Sequence, residues 1–151
     1  MADRLIDQLG LKPQPEGGHY RQTWRSSETV NLPDGRERAL ATLILFDMQA
    51  GESSAWHVVK SDEIWMAQIG TFVLELGGNG AEPGDATQYR LGTNVDAGEL
   101  LQVLVPGGTW QRTVPTDAET LVSCMVSPGF EFEDFALFED AKHENSALVG
   151  E

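Results

Sequence analysis

Turn-forming residues recur at short, regular intervals along most of this chain, and their spacing limits the folds open to it. Clusters of glycine, proline and asparagine, the clearest at residues 77–80 and 106–108, separate short runs rich in β-branched and aromatic residues. The turns recur about every 8–12 residues, which is typical of a β-sandwich or a barrel. A helical period appears in residues 2–9, followed by a stop at Gly10. The sequence therefore predicts an all-β fold with a short N-terminal helix.

The alternation and the turns together predict the strands. We expect them at residues 20–25, 38–48, 55–59, 62–69, 71–76, 86–91, 100–105, 109–114 and 120–127.

The charge of the chain excludes several kinds of partner. It carries 24 Asp and Glu against 10 Lys and Arg, a net charge of −14, which repels DNA, RNA and anionic membrane surfaces. No apolar run approaches the roughly 18 residues needed to cross a bilayer. The first residues have neither the apolar core of a signal peptide nor the character of a transit peptide. We therefore expect a cytoplasmic protein that binds neither nucleic acid nor membrane.

One segment, residues 51–70, holds the residues that could form a site. His57 and Val59 share a strand face because side chains alternate along a strand. A turn at residues 60–61 would return Glu63, on a paired strand, to the same interior. Further along, the tight turn at residues 106–108 would aim Gln111 inward from the start of the next strand.

These two segments resemble the signature motifs of the cupin superfamily. The first motif, Gly-x5-His-x-His-x3-Glu-x6-Gly, is matched at Gly51, His57, Glu63 and Gly70. The second motif ends Pro-x-Gly-x2-His, and residues 106–111 match it except at the last position. Val59 stands where the first motif has its second histidine, and Gln111 stands where the second motif has its histidine.

The chain also resembles one family within that superfamily, DUF985 (Cupin_5). The matching segments are LKPQPEGGHYR (11–21), SAWHVVKSDEIW (54–65), VPGGTWQ (105–111) and VSPGFEFEDF (126–135). The resemblance implies a double-stranded β-helix, the cupin jelly-roll barrel, forming a single domain over residues 1–151 with its barrel core at about 20–137. It also implies a homodimer. The chain departs from the family after residue 65, where Met66, Ala67 and Gln68 replace a histidine-rich run.

The resemblance raises the question of a metal. A cupin iron or manganese site needs three or four nitrogen and oxygen ligands. His57 and Glu63 supply two, and Gln111 is a weak, neutral donor. We therefore predict no metal and no other cofactor. We expect His57 and Glu63 to form a hydrogen-bonded pair, because a buried carboxylate left unpaired is costly.

Such a pair could perform acid–base chemistry without a metal. His57 would act as a general base, with Glu63 fixing its tautomer and raising its basicity. Tyr20 could donate a proton across the pocket. This would suit proton abstraction next to a carbonyl, as in the metal-free sugar epimerases of the superfamily. The alternative is that Tyr20 is an ordinary strand aromatic.

Four further residues are candidates for binding a ligand. Trp65 follows Glu63 by two positions and should share its interior face, where it could stack on a sugar or a base. Gln111 would point into the same interior. Arg21 and Lys60 are the candidate anchors for an anionic group, although Lys60 lies at a turn and could simply face water.

Three functions follow from these residues. The leading hypothesis is a metal-independent cupin that binds a small polar molecule, carbohydrate-like or nucleotide-linked, and isomerises or epimerises it. The second is a non-catalytic ligand-binding or sensor protein on the same barrel. The third, a metal-dependent dioxygenase, is disfavoured by Val59 and Gln111 at the ligand positions.

Overall fold

A computed structural model describes residues 4–138 of the chain. Within that part, one α-helix, α1, covers Arg4–Leu9. It ends at Gly10, whose φ of +66° lies in the left-handed region that favours glycine. The Leu11 N–H then donates to the carbonyl of Ile6 at 2.9 Å and closes the last turn. This is the helix that the sequence predicted; the prediction of one domain over residues 1–151 extends beyond the described residues and stays a prediction.

The rest of the described chain is mostly β-strand, with two single 3-10 turns at Val95–Ala97 and Phe132–Asp134. The strands are β1 Lys12–Pro13, β2 His19–Arg25, β3 Thr29–Asn31, β4 Glu37–Ala39, β5 Thr42–Met48, β6 His57–Val59, β7 Asp62–Ile69, β8 Phe72–Leu76, β9 Thr87–Leu91, β10 Gln102–Val105, β11 Gln111–Thr113, β12 Thr120–Ser127 and β13 Phe135–Leu137. The all-β prediction is confirmed.

These strands form two main antiparallel sheets. A six-stranded sheet has the order β1-β2-β5-β12-β7-β10, and a five-stranded sheet has the order β13-β6-β11-β8-β9. The strands β3 and β4 form a separate hairpin. The interleaved orders mean that the chain passes repeatedly from one sheet to the other, as in a jelly roll.

One pairing predicted from the sequence is wrong. We expected a turn at residues 60–61 to pair the strand of His57 with the strand of Glu63. Instead β6 pairs with β11 and β13, whereas β7 pairs with β12 and β10. The segment at residues 60–61 therefore crosses from one sheet to the other, and so does the turn at residues 106–108.

The two crossings pack closely against each other. The Gly107 N–H donates to Asp62 Oδ1, and the Gly108 N–H donates to the carbonyl of Val59, both at 2.8 Å. A Cβ at Gly107 would lie 2.2 Å from the carbonyl oxygen of Lys60, so only glycine fits there. This contact fixes the two sheets so that His57 and Glu63 reach the interior from opposite sheets.

The space between the sheets is filled by a hydrophobic core. Its centre is aromatic, because Trp65 contacts the rings of both Phe46 and Phe72. Aliphatic side chains surround them, among them Leu74 and Leu91, which are fully buried. Burial of this apolar surface is the main favourable term in folding.

The segment 128–135 closes one end of this interior. Asp134 is buried and accepts hydrogen bonds from Arg38 and, at 2.8 Å, from Arg36 Nη2. Both arginines belong to the β3–β4 hairpin region, so the hairpin holds the segment in place. Phe130 and Phe135, which contact each other edge to face, then lie over the interior.

No helix of the described residues is long and apolar enough to cross a membrane. The cytoplasmic location expected from the sequence stays a prediction.

Candidate functional site

A cavity of about 450 Å³ opens beside the β1–β2 edge of the six-stranded sheet and receives side chains from both sheets. Four of the predicted site residues line it: His57, Glu63, Tyr20 and Arg21. The remainder of the wall is partly polar and partly apolar. It includes Lys12, Gln14, Glu16, Arg25, Ile44, Val59, Val126, Phe130, Phe132 and Phe135. A volume of this size is in the range of small-molecule sites.

His57 lies at the base of the cavity and is 1% exposed. Its Nδ1 atom is 2.7 Å from the carbonyl oxygen of Ala55, and because a carbonyl only accepts, Nδ1 carries the proton. Burial lowers the pKa of His57, so the ring is neutral near pH 7 and the lone pair is on Nε2. The expectation that Glu63 fixes this tautomer is wrong, since the Ala55 carbonyl does so.

The carboxyl group nearest to His57 Nε2 belongs to Glu16, which the sequence analysis did not single out. Glu16 Oε2 lies 3.1 Å from Nε2, and Glu16 is 9% exposed. The Ala55 N–H donates to the Glu16 carbonyl at 2.7 Å, so Ala55 holds both members of this pair. Glu16 was missed because it lies in a loop, where periodicity says nothing about which way a side chain points.

Two glycines bring Glu16 into this position. Gly17 has a φ of +112°, and a Cβ on it would lie 2.4 Å from the carbonyl oxygen of Ser53. Gly18, with a φ of +75°, follows, and the Gln14 N–H donates to its carbonyl at 3.0 Å. The resulting tight turn after Glu16 packs against residues 53–55, next to the strand of His57.

Glu63 approaches from β7 and is held by a chain of hydrogen bonds. Gln111 Nε2 donates to Glu63 Oε1 at 2.9 Å, and Trp65 Nε1 donates to Gln111 Oε1 at 2.8 Å. The indole N–H only donates, so it fixes which end of the Gln111 amide faces Glu63. Burial and the neighbouring carboxyl groups of Glu63 and Glu16 raise the pKa of the buried Cys124 thiol.

Burial of the two carboxyl groups changes the pKa of each. Removal from water raises the pKa of Glu16 to about 8. Removal from water and the nearby charge of Glu16 raise the pKa of Glu63 to about 7. At neutral pH the site therefore holds a protonated Glu16 beside a neutral His57, and Glu63 is partly ionised.

The remaining predicted residues do not line the cavity. Trp65 and Gln111 are buried in the core behind Glu63, where they orient its carboxyl group. The side chain of Lys60 is 75% exposed and lies 3.8 Å from Asp134. We predicted ligand contacts for these three residues, and in this structure none of them reaches the cavity wall.

The side chains of this site fit a metal ion poorly. Val59 offers no donor atom, and the Gln111 amide oxygen is turned away from the cavity toward Trp65. Among residues 4–138 no group of three or more histidine, cysteine or acidic side chains is arranged to hold a metal.

Comparisons with known proteins agree with this fold. The family model described as Cupin_5, cupin superfamily (DUF985), matches residues 3–138. A protein of Shewanella oneidensis with a crystal structure is 36% identical, with a TM-score of 0.80, covering 99% of this chain and 94% of its own. A hypothetical protein from Leishmania major is 32% identical, with a TM-score of 0.82, covering 98% and 93%.

A more distant structure shows the fold alone. A Cupin 2 conserved barrel domain protein from Salinispora arenicola is 19% identical, with a TM-score of 0.54, covering 80% of this chain and 83% of its own. The predicted jelly-roll fold is thereby confirmed.

Proposed function

The chain belongs to the Cupin_5 (DUF985) family of the cupin superfamily, and we propose that it binds a small polar molecule in the cavity and isomerises or epimerises it by metal-independent acid–base chemistry. The observation that carries this proposal is the cluster of Glu16, His57 and Glu63 at the cavity wall. A group that gives and takes protons works best when its pKa is near the working pH. Two carboxyl groups with a pKa of about 8 and about 7 meet that condition.

The proposed reaction moves one proton on a carbon next to a carbonyl group. Ionised Glu63 accepts the proton from the carbon, and the C–H electron pair moves to form an enol. Glu16, which keeps its proton at neutral pH, donates it to the carbonyl oxygen. In an epimerisation, Glu16 takes that proton back while the carbon is reprotonated on its other face. In an isomerisation, Glu16 instead takes the proton of the hydroxyl group on the carbon that was deprotonated, and the former carbonyl carbon receives the proton from Glu63.

The other residues of the cluster have supporting roles in this proposal. His57 positions Glu16 through the 3.1 Å contact between Nε2 and Oε2. Tyr20 lies on β2, in the same sheet as Glu63, and lines the same cavity; in this proposal it is a second proton donor to the substrate. Gln111 and Trp65 orient the base.

Deuterium exchange tests the reaction. The protein is incubated in D₂O with a panel of ketoses and keto-sugars, and incorporation at the carbons next to the carbonyl is measured by NMR. Glu63→Gln should lower the rate by about 100-fold or more, the usual contribution of a general base. Glu82→Gln, the same change on an exposed loop, should have no effect.

Two outcomes would contradict the proposal. Undiminished exchange in Glu63→Gln, with folding verified by circular dichroism, would remove Glu63 from the mechanism. Binding of panel members without exchange would instead assign the cavity to the alternative function, a ligand-binding or sensor protein.

We also propose that the protein is a homodimer, as the family resemblance implies. Five apolar residues are register partners across five strands of the six-stranded sheet and form one row on its outer face: Trp24, Leu43, Met125, Ile64 and Leu104. The ends of the row are open to solvent, with Trp24 48% and Leu104 55% exposed. A contiguous apolar surface of this kind supports association.

Sedimentation velocity tests the dimer. The wild type should sediment as a dimer, and Leu104→Glu should sediment as a monomer, because it places a charge at the exposed end of the apolar row. Val95→Glu is the matched control, since Val95 is equally exposed on a 3-10 turn away from the row. A monomeric wild type would contradict the proposal.

A further inference from the structure

We infer that the molecule bound in this cavity carries an oxyanion, a phosphate or a carboxylate, which Lys12 and Arg21 bind at the rim while its hydroxyl groups donate to Gln14 inside. This inference rests on the proposed function, because it assigns the substrate class of the same cavity. Three observations carry it: the alternation of residues 12–16, the pairing of the cations, and an unpartnered amide oxygen.

The segment 12–16 leads from the mouth of the cavity to its base. Lys12, Gln14 and Glu16 all line the cavity, whereas the two prolines between them are exposed. Lys12 is exposed at the rim, Gln14 and Glu16 are each 9% exposed, and Glu16 touches His57. The chain turns at residues 14–17, where the Gly17 N–H donates to the Gln14 carbonyl at 2.9 Å, so Gln14 and Glu16 reach the interior while Lys12 stays at the rim.

Within the described part of the chain, the cations at the rim do not pair with a carboxylate; Lys12 Nζ lies 5.5 Å from the centroid of the Tyr20 ring. Among residues 4–138, six of the nine Lys and Arg side chains lie within ion-pair distance of a carboxylate. Arg4, Lys12 and Arg21 do not, although the chain has more than twice as many acids as bases. Two of these three line the cavity. The Arg21 guanidinium makes one described side-chain hydrogen bond, to the Leu9 carbonyl, which leaves donors for a ligand.

Of the three carboxyl groups among residues 4–138 that line the cavity, two carry no uncompensated charge: burial keeps Glu16 protonated at neutral pH, and Glu131 pairs with Arg25 at 2.9 Å. Glu63 is partly ionised, but it is buried in the interior, whereas Lys12 and Arg21 are exposed at the rim. Below the rim, Gln14 Oε1 is buried and has no hydrogen-bond partner among the described residues. A buried acceptor without a partner costs about 1–3 kcal/mol, and a ligand hydroxyl in the cavity would satisfy it. The two ends of the cavity thus select for different groups of one molecule.

Three matched probes test the inference: D-fructose, D-fructose 6-phosphate and D-fructuronate. They share the same ketone and differ at carbon 6, which is neutral, phosphorylated or oxidised to a carboxylate. Dissociation constants are measured by isothermal titration calorimetry on the full-length protein. We expect at least one of the two anions to bind tenfold or more tightly than fructose, and the stronger of them identifies the oxyanion.

Variants locate the binding site. Arg21→Gln combined with Lys12→Gln should remove the tenfold preference for the anion, and Gln14→Met should weaken all three probes. Both rim residues are exposed, so the double variant should fold normally. Lys60→Gln is the matched control, because Lys60 is a cation outside the cavity and its removal should leave the preference unchanged.

The outcomes separate this inference from the proposed function. Equal binding of fructose and both anions, binding of none of the three, or a preference that survives the double variant would overturn the inference. Deuterium exchange into fructose as fast as into either anion would also overturn it while leaving the proposed reaction intact. Tight, Arg21-dependent binding of an anion without any exchange would support the inference and contradict the proposed reaction.

Discussion

Replacing Glu16 by glutamine should flatten the pH dependence of stability. The pKa of Glu16 rises from 4.5 to about 8 on folding, mainly because burial removes its carboxyl group from water. A carboxyl whose pKa is raised on folding stabilises the protein fully below its unfolded pKa and loses that contribution as the pH rises through its folded pKa. Wild-type stability should therefore fall between about pH 5 and about pH 8.

The size of the effect follows from the shift. One pKa unit corresponds to about 1.4 kcal/mol, so between about pH 6 and about pH 8 the Glu16 contribution falls by about 2 kcal/mol. Glutamine has nearly the same shape and does not ionise. Glu16→Gln should therefore lose about 2 kcal/mol less than the wild type over this interval. The stability of both proteins will still fall somewhat with rising pH, because burial also raises the pKa of Glu63 and of Asp47 to about 7.

Urea unfolding followed by circular dichroism at the two pH values measures the difference. Glu82→Gln, which neutralises an exposed carboxyl group, should follow the wild type at both pH values. If the Glu16→Gln and wild-type free energies of unfolding change in parallel within about 0.5 kcal/mol, Glu16 is not held protonated by burial. The reasoning about the charge of the cavity would then be refuted.

Two further predictions concern buried polar contacts, and urea unfolding measures both. Gln111→Met should destabilise the protein by about 2–4 kcal/mol, because it leaves the buried indole N–H of Trp65 and a carboxylate oxygen of Glu63 without partners. The control, Gln68→Met at an exposed position, should change stability by less than about 0.5 kcal/mol. Equal losses of stability in the two variants would contradict the prediction. Arg38→Met should cost about 3 kcal/mol or more, because Asp134 remains buried without this partner. The partly exposed ion pair between Arg90 and Glu99 should contribute less than about 1 kcal/mol to stability. If Arg90→Met destabilised the protein as much as Arg38→Met, burial of the ion pair would not be the cause of the loss.

The strands were predictable because each has one buried face. In β7, Glu63 and Trp65 are buried and their neighbours Asp62 and Ile64 are more exposed, so the sequence alternates and the predicted bounds of residues 62–69 agree with the structure. The predicted bounds of β12, residues 120–127, also agree with the structure. The short strands β1, β3 and β13 were missed, since two or three residues are too few to display a period.

The choice of strand partners was not predictable in the same way. A two-residue connection at residues 60–61 is compatible with a hairpin. The sequence pattern also places His57 and Glu63 on inward faces in two different arrangements: their strands can be hydrogen-bonded neighbours in one sheet, or they can belong to two sheets that face each other. The register partners of His57 are Gln111 on β11 and Leu137 on β13, both more than fifty residues away. The pairing with Gln111 depends on the close approach of Gly107 to Lys60, which is a tertiary contact.

The site differs from the sequence prediction for a related reason. The motif spacing placed His57 and Glu63 correctly at the cavity, yet the atom facing His57 Nε2 comes from a loop about forty residues earlier. Loop side chains follow no period, and only the two glycines after Glu16 hinted at a tight turn there. Trp65 shares the interior face of Glu63 as predicted, but the core already fills the space around it.

Two side chains near His57 fit a metal ion poorly. Val59 supplies no ligand, and Gln111 presents its N–H rather than its oxygen to Glu63. Burial raises the pKa of Glu16 and Glu63 to about 8 and about 7. Carboxyl groups in that range can both release and accept a proton near neutral pH, which supports the acid–base function proposed for this cavity.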